Sequence, residues 1–167
     1  SGPDVVLNTT RPPFNDIRVR RAMMMAIDFE GIRKNFYGGE AQIVTWPITK
    51  VPGYENAYYG PDDKGQWPSD APASTRELYS YNPEKAKALL KEAGYPKGFK
   101  TRLEMGNTPE MIDYYSIYKD MWSKVGVDVD IRPMETGPLT TLIRSFAYEQ
   151  MVEGSPAGGG SAPVSLL

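Results

Sequence analysis

Apolar positions along this chain repeat with two spacings, and each change of spacing marks an element boundary. Asp4-Val5-Val6-Leu7-Asn8-Thr9-Thr10 reads as a short strand stopped by Pro12-Pro13. Val19, Ala22, Met23, Ala26 and Ile27 then recur at the i, i+3, i+4, i+7, i+8 spacing of one buried helix face, with Asn15 or Asp16 as its N-cap. Arg18, Arg20 and Arg21 fall off that stripe and are expected on its solvated face. Asp28 predicts a second cap and a short helix through Ile32 and Phe36, ended by Gly38-Gly39. Residues 40–81 lose all periodicity. Asn82-Pro83-Glu84 restores it with cap, proline and acid in helix-start order, followed by the stripe Ala86, Leu89, Leu90, Ala93 and the stop Gly94.

The second half alternates strand and helix. Thr101 to Met105 predicts a half-buried strand; Thr108-Pro109-Glu110 opens a helix buried through Met111, Tyr115, Tyr118, Met121, Trp122 and Val125 and closed by Gly126. Val127, Val129 and Ile131 alternate with Asp128, Asp130 and Arg132, a strand with one wet face. A last helix carries Leu139, Leu142, Ile143 and Phe146, a strand follows over Tyr148 to Val152, and the chain then turns glycine-rich. Strands separated by helices predict an α/β fold with a mixed or parallel sheet flanked by helices, in a single domain over residues 1–167.

Composition narrows the chemistry. The 167 residues contain no Cys and no His, which removes thiol nucleophiles, thiolate metal sites, Ser-His-Asp arrangements and imidazole proton shuttles. Carboxylate, Lys or Tyr chemistry is what remains to an enzyme. A net charge of −2 offers no electrostatic footprint for nucleic acid. No apolar run reaches the roughly 18 residues of a membrane span. No phosphate-binding GxxxxGK[ST] or GxGxxG pattern occurs. The 40–81 stretch carries Trp46, Trp67, Tyr54, Tyr58, Tyr59, Tyr79 and Tyr81 between five prolines. So long a loop inside a compact domain is expected to be functional or to lie against protein.

Three blocks carry a family resemblance: Pro12-Pro13-Phe14-Asn15-Asp16-Ile17-Arg18-Val19-Arg20-Arg21-Ala22 with Ala26-Ile27-Asp28; Tyr81-Asn82-Pro83-Glu84-Lys85-Ala86 on to Gly94-Tyr95-Pro96 and Gly98-Phe99; and Met121-Trp122-Ser123-Lys124-Val125-Gly126-Val127-Asp128-Val129. In this order they resemble the family 5 extracellular solute-binding proteins, the peptide-, dipeptide- and nickel-type receptors of ABC importers. The resemblance implies one lobe of a type II periplasmic-binding-protein-like fold. It further implies that this chain is most of a C-terminal lobe, with an N-terminal lobe and its secretory signal ahead of Ser1. Its partners would be a small solute, the missing lobe and an ABC permease. The location would be periplasmic or extracellular, free or lipid-anchored. No cofactor, metal or nucleic acid is implied, and no bond chemistry.

The same resemblance assigns Thr136, Ser155 and Gly158 to solute-contact positions. In peptide-binding members the loop after the last strand resembles Gly-Trp-x-x-Asp, whose carboxylate anchors the peptide amino terminus. Here Ser155 stands at the Trp position and Gly158 at the Asp position, and Thr136 stands where a Trp often precedes the last helix. A free α-amine would need another anion, so a neutral solute, a sugar or a differently anchored peptide are all open. Trp46 joins the set as an aromatic in the unpaired loop, against the weightier reading that it packs on its own lobe. Two other classes remain: a carboxylate-dependent hydrolase using Glu104, Asp128, Asp130 and Glu149, and an interaction module presenting the aromatic loop.

Overall fold

The computed structural model describes residues 4–40, 60–62 and 66–154. Ten elements follow one another: β1 (Val5–Leu7), α1 (Ile17–Met25), α2 (Phe29–Asn35), α3 (Ala73–Leu78), α4 (Pro83–Glu92), β2 (Phe99–Gly106), α5 (Pro109–Ser123), β3 (Val127–Met134), α6 (Thr136–Arg144) and β4 (Met151–Glu153). The strands form one mixed sheet in the order β1-β4-β2-β3. β2 and β3 run parallel over eight register pairs, from Phe99 opposite Val127 to Gly106 opposite Met134. β4 lies parallel to β2 through Leu103–Met151 and Glu104–Val152, and β1 runs antiparallel to β4. Pro133 falls in β3, an edge strand, where a missing N–H costs no ladder bond.

Strand pleating sends alternate side chains to opposite faces. Leu103, Met105, Val127, Val129 and Met151 share one face and join α1, α4 and α5 in the main core, centred on Phe14, Met25, Leu90 and Tyr115. Each of these fully buried aliphatic side chains contributes on the order of 1.5–3 kcal/mol. The Trp122 indole N–H donates to the Met23 carbonyl at 2.9 Å, tying α5 to α1. Leu139 of α6 and Val152 are also buried, yet stand outside that cluster, as side chains of the opposite face do.

Helix starts follow the capping chemistry of the sequence. Asp16, Asp28, Asn82 and Thr108 each accept a backbone N–H from the first turn they precede, and Pro83 and Pro109 occupy first helical positions. Among the glycines, Gly98 and Gly126 are conformationally obligatory: both have positive φ (75° and 91°), and a Cβ on Gly98 would run into the Gly126 carbonyl.

Five expectations change. Phe146, expected on the apolar face of the last helix, lies past the end of α6 at a positive φ and is 79% exposed. Residues 40–81 are not one irregular stretch, because Ala73–Leu78 is helical. It buries no residue and has no side-chain cap, so neither periodicity nor capping announces it. Helix α1 ends at Met25, with Ala26 as C-cap, so Ala26 and Ile27 are buried just past the helix. The last strand is Met151–Glu153, three residues later than its expected start, since Tyr148 to Gln150 serve as its approach. Arg20 is not on a solvated face. It is 8% exposed, and its Nη1 donates to the Phe14 carbonyl at 2.8 Å. Arg18 and Arg21 are at the surface, where Arg18 pairs with Asp16 and Arg21 lies 3.7 Å from Glu77.

Candidate functional site

The carboxyl ends of β2, β3 and β4 lie along one edge of the sheet, and each gives out onto a different kind of segment. After Gly106, Asn107 leads to Thr108, which caps α5; after Met134, Glu135 leads directly into α6; after Glu153, Gly154 closes the described chain. The α5 helix packs on the Leu103–Val127 face, whereas α6 returns across the other face to reach β4. Adjacent strands that send their helices to opposite faces leave a crevice between their carboxyl ends, where α/β proteins bind ligands.

Asn107 and Glu135 face each other across that crevice, the Asn107 Nδ2 donating to Glu135 Oε1 at 2.8 Å. Glu135 is therefore turned away from capping α6, which begins without a side-chain cap. Thr136 opens α6 at the same place and is exposed. Of the other expected contact residues, Ser155, Gly158 and Trp46 lie outside the described residues.

Towards β1 the edge becomes buried and aromatic. Glu153 is 7% exposed, and its Oε2 accepts the Gly106 N–H at 2.7 Å. Across the antiparallel pair, the Asp4 carbonyl accepts the Gly154 N–H at 2.8 Å and the Tyr115 hydroxyl at 3.0 Å. Burial pushes the Tyr115 phenol far up, and the charges of Glu153 and Asp4 push it further. Beside it, Tyr114 and Tyr118 share a hydroxyl–hydroxyl hydrogen bond of 2.8 Å, and burial raises Tyr114 to about 12. Phe36 and Tyr37 meet the Tyr114 ring at 5.7 and 6.2 Å, extending the aromatic group outwards to Phe36, which is 37% exposed. The edge thus offers amide and hydroxyl hydrogen bonds, aromatic faces and a carboxylate. Those are tools of recognition.

The acids weighed for hydrolysis are engaged elsewhere. Arg102 lies 2.9 Å from Glu104 and 2.5 Å from Glu149, Asp128 is near Lys100, and Arg132 pairs with Asp130 at 2.6 Å. Among the described residues no cluster of acids has the arrangement to hold a metal ion, and no helix is long and apolar enough to cross a membrane. Of the described aromatics of the 40–81 stretch, Trp67 and Tyr79 cover their own domain, Trp67 packing on Tyr79 and Tyr79 on Phe29 of α2, while Tyr81 is exposed.

Sequence reasoning did not single out Asn107, Glu135 or Glu153. The available signal was position alone: a polar residue directly after a strand and directly before a helix, or an acid at the end of an apolar strand.

Comparison with known proteins points the same way. The model of the family "Bacterial extracellular solute-binding proteins, family 5 Middle" matches residues 5–166. A glutathione-binding protein, GsiB, of Pectobacterium atrosepticum is 30% identical over 134 residues, which cover 80% of this chain and 23% of that protein. Heme-binding protein A of Haemophilus influenzae is 31% identical over 144 residues, covering 81% and 21%. Among solved structures, the periplasmic binding protein DppA of Helicobacter pylori in complex with the peptide STSA is similar at a TM-score of 0.69. It is 28% identical, covering 91% of this chain and 26% of that one. AgaA of A. tumefacien R10, in complex with agropinic acid, is similar at 0.69 with 25% identity, covering 99% and 31%. These neighbours share the type II periplasmic-binding-protein fold, and the chain spans about a quarter of the length of the curated relatives it matches.

Proposed function

The chain belongs to the bacterial extracellular solute-binding proteins of family 5, and from that premise we propose that it forms one lobe of a receptor that captures a small solute for an ABC importer. The observation that carries this reading is the family match along residues 5–166, which takes in the whole carboxyl edge of the sheet. In this reading the chain is most of the C-terminal lobe, and an N-terminal lobe closes over that edge. Thr136, Ser155 and Gly158 line the cleft, with Trp46 reaching it from the aromatic stretch. The receptor works outside the cytoplasmic membrane and hands its cargo to a membrane permease.

Recognition needs no bond chemistry. The solute bridges two lobes, and its higher affinity for the closed state shifts the open–closed equilibrium. Relatives are named as glutathione- and heme-binding proteins, and structural neighbours hold a peptide or agropinic acid. A peptide or similarly sized amino-acid derivative is the solute class we propose here. Enclosure strengthens each polar contact by excluding water, so half the enclosure forfeits most of the affinity.

Calorimetry with glutathione and short peptides on the two-lobed receptor and on residues 1–167 alone tests this. The receptor should bind at least one of them, and the single lobe should bind it at least about 100-fold more weakly, about 2.7 kcal/mol. Equal affinity in the single lobe, or a solute recovered chemically altered after incubation, would overturn the proposal.

A further inference from the structure

Two side chains of the β4 region extend its short ladder with β2, one at each end, and they differ in charge. At the entry, Gln150 Oε1 accepts the Arg102 N–H at 2.8 Å and the Thr101 hydroxyl at 3.1 Å. At the exit, Glu153 Oε2 accepts the Gly106 N–H at 2.7 Å. A neutral amide is therefore enough to prolong this ladder, so the ladder alone does not call for a charge at Glu153.

That charge is also unanswered. Glu153 is 93% withdrawn from solvent, and among the described residues no Lys or Arg lies within ion-pair distance of it. The Gly106 N–H is its one hydrogen bond among those residues, and Oε1, which has no partner, keeps contact with solvent. The nearby Tyr115 hydroxyl is committed to the Asp4 carbonyl. Glu104, the other acid drawn into the sheet, has Arg102 beside it at 2.9 Å. A carboxylate largely withdrawn from water and left without a counter-charge is destabilising, so such a group persists where something else supplies the counter-charge.

The geometry points to Glu153 as the anchor for a cationic nitrogen of the solute, a primary ammonium or a guanidinium, at the carboxyl edge where β1, β2 and β4 meet. This rests on the solute-binding reading above and adds the charge of the cargo to it. The anion thus comes from the strand itself, where the following loop has Gly158.

The test uses the full-length receptor and three probes: trialanine, N-acetyl-trialanine and N-acetyl-argininamide. Calorimetry should give trialanine or N-acetyl-argininamide an affinity at least tenfold above that of neutral N-acetyl-trialanine, and the favoured probe identifies ammonium or guanidinium. Glu153→Gln, which keeps an acceptor for the Gly106 N–H, should collapse that ratio to near unity. Without ligand, the same variant should melt at or above the wild type. A preserved ratio, an equal loss for all three probes, or a variant that melts several degrees lower overturns the anchor. Binding of N-acetyl-trialanine with no gain from either cation overturns it too, while leaving the receptor reading standing. Failure of all three to bind the wild type counts against both.

Discussion

Glu104 and Glu153 leave the sheet on opposite faces, and what surrounds each determines what its charge does. Glu104 is 13% exposed, and burial pushes its carboxyl above the usual range, against the pull of Arg102. The folded chain then holds that proton more tightly than the unfolded chain. Its contribution to stability is complete below the ordinary glutamate value and is lost as pH rises through the folded value. Melting curves of wild type and Glu104→Gln, taken from about pH 4 to pH 8, should therefore separate. The variant should gain on the wild type as pH rises, and curves that stay parallel would refute the assignment. Neither acid was legible as buried in the sequence, where each is one carboxylate among 21 Asp and Glu. Burial came from β4 threading between β1 and β2, a long-range event with no local trace. Arg20 was misread for a related reason: pattern analysis counts a guanidinium as wet, whereas its acceptor is the Phe14 carbonyl just ahead of the helix.

At the scale of elements, α5 and the β2–β3 pair hold the edge in place. Burial raises the phenols of Tyr114, Tyr115 and Tyr118, Tyr114 to about 12. An unfolded tyrosine loses its proton near pH 10, while these three keep theirs in the folded chain. Stability from them is complete below about pH 10 and drains away as pH climbs towards about 12. Following phenolate absorbance alongside helix content should show these three of the eleven tyrosines ionising only as α5 melts. Ionisation before melting would contradict it. Where β2 and β3 begin, Gly98→Ala sets a side chain against the Gly126 backbone at a positive φ. Denaturant titration should show a loss of about 2 kcal/mol or more, whereas a neutral effect would mean the two glycines are not in contact. Most elements were legible, because caps, prolines and stripes agreed at α1, α4 and α5. Helix α3 was not, having no buried face to leave a period.

For the whole molecule, the alternation of strands and helices already implied a sheet with helices on it, and the order β1-β4-β2-β3 supplies the crevice between β2 and β3. The family resemblance singled out Thr136, which the fold places at the start of α6; the Asn107–Glu135 contact had no such signal, since it joins residues 28 apart. The Asp4 carbonyl and the Gly154 N–H sit together at one end of the three-pair β1–β4 ladder. A force that draws residues 4 and 154 apart loads these bonds one after another, as a zipper is loaded, instead of all at once as in shear. The first thing to yield under tension is then this outer antiparallel pair, while the eight-pair β2–β3 ladder stays intact.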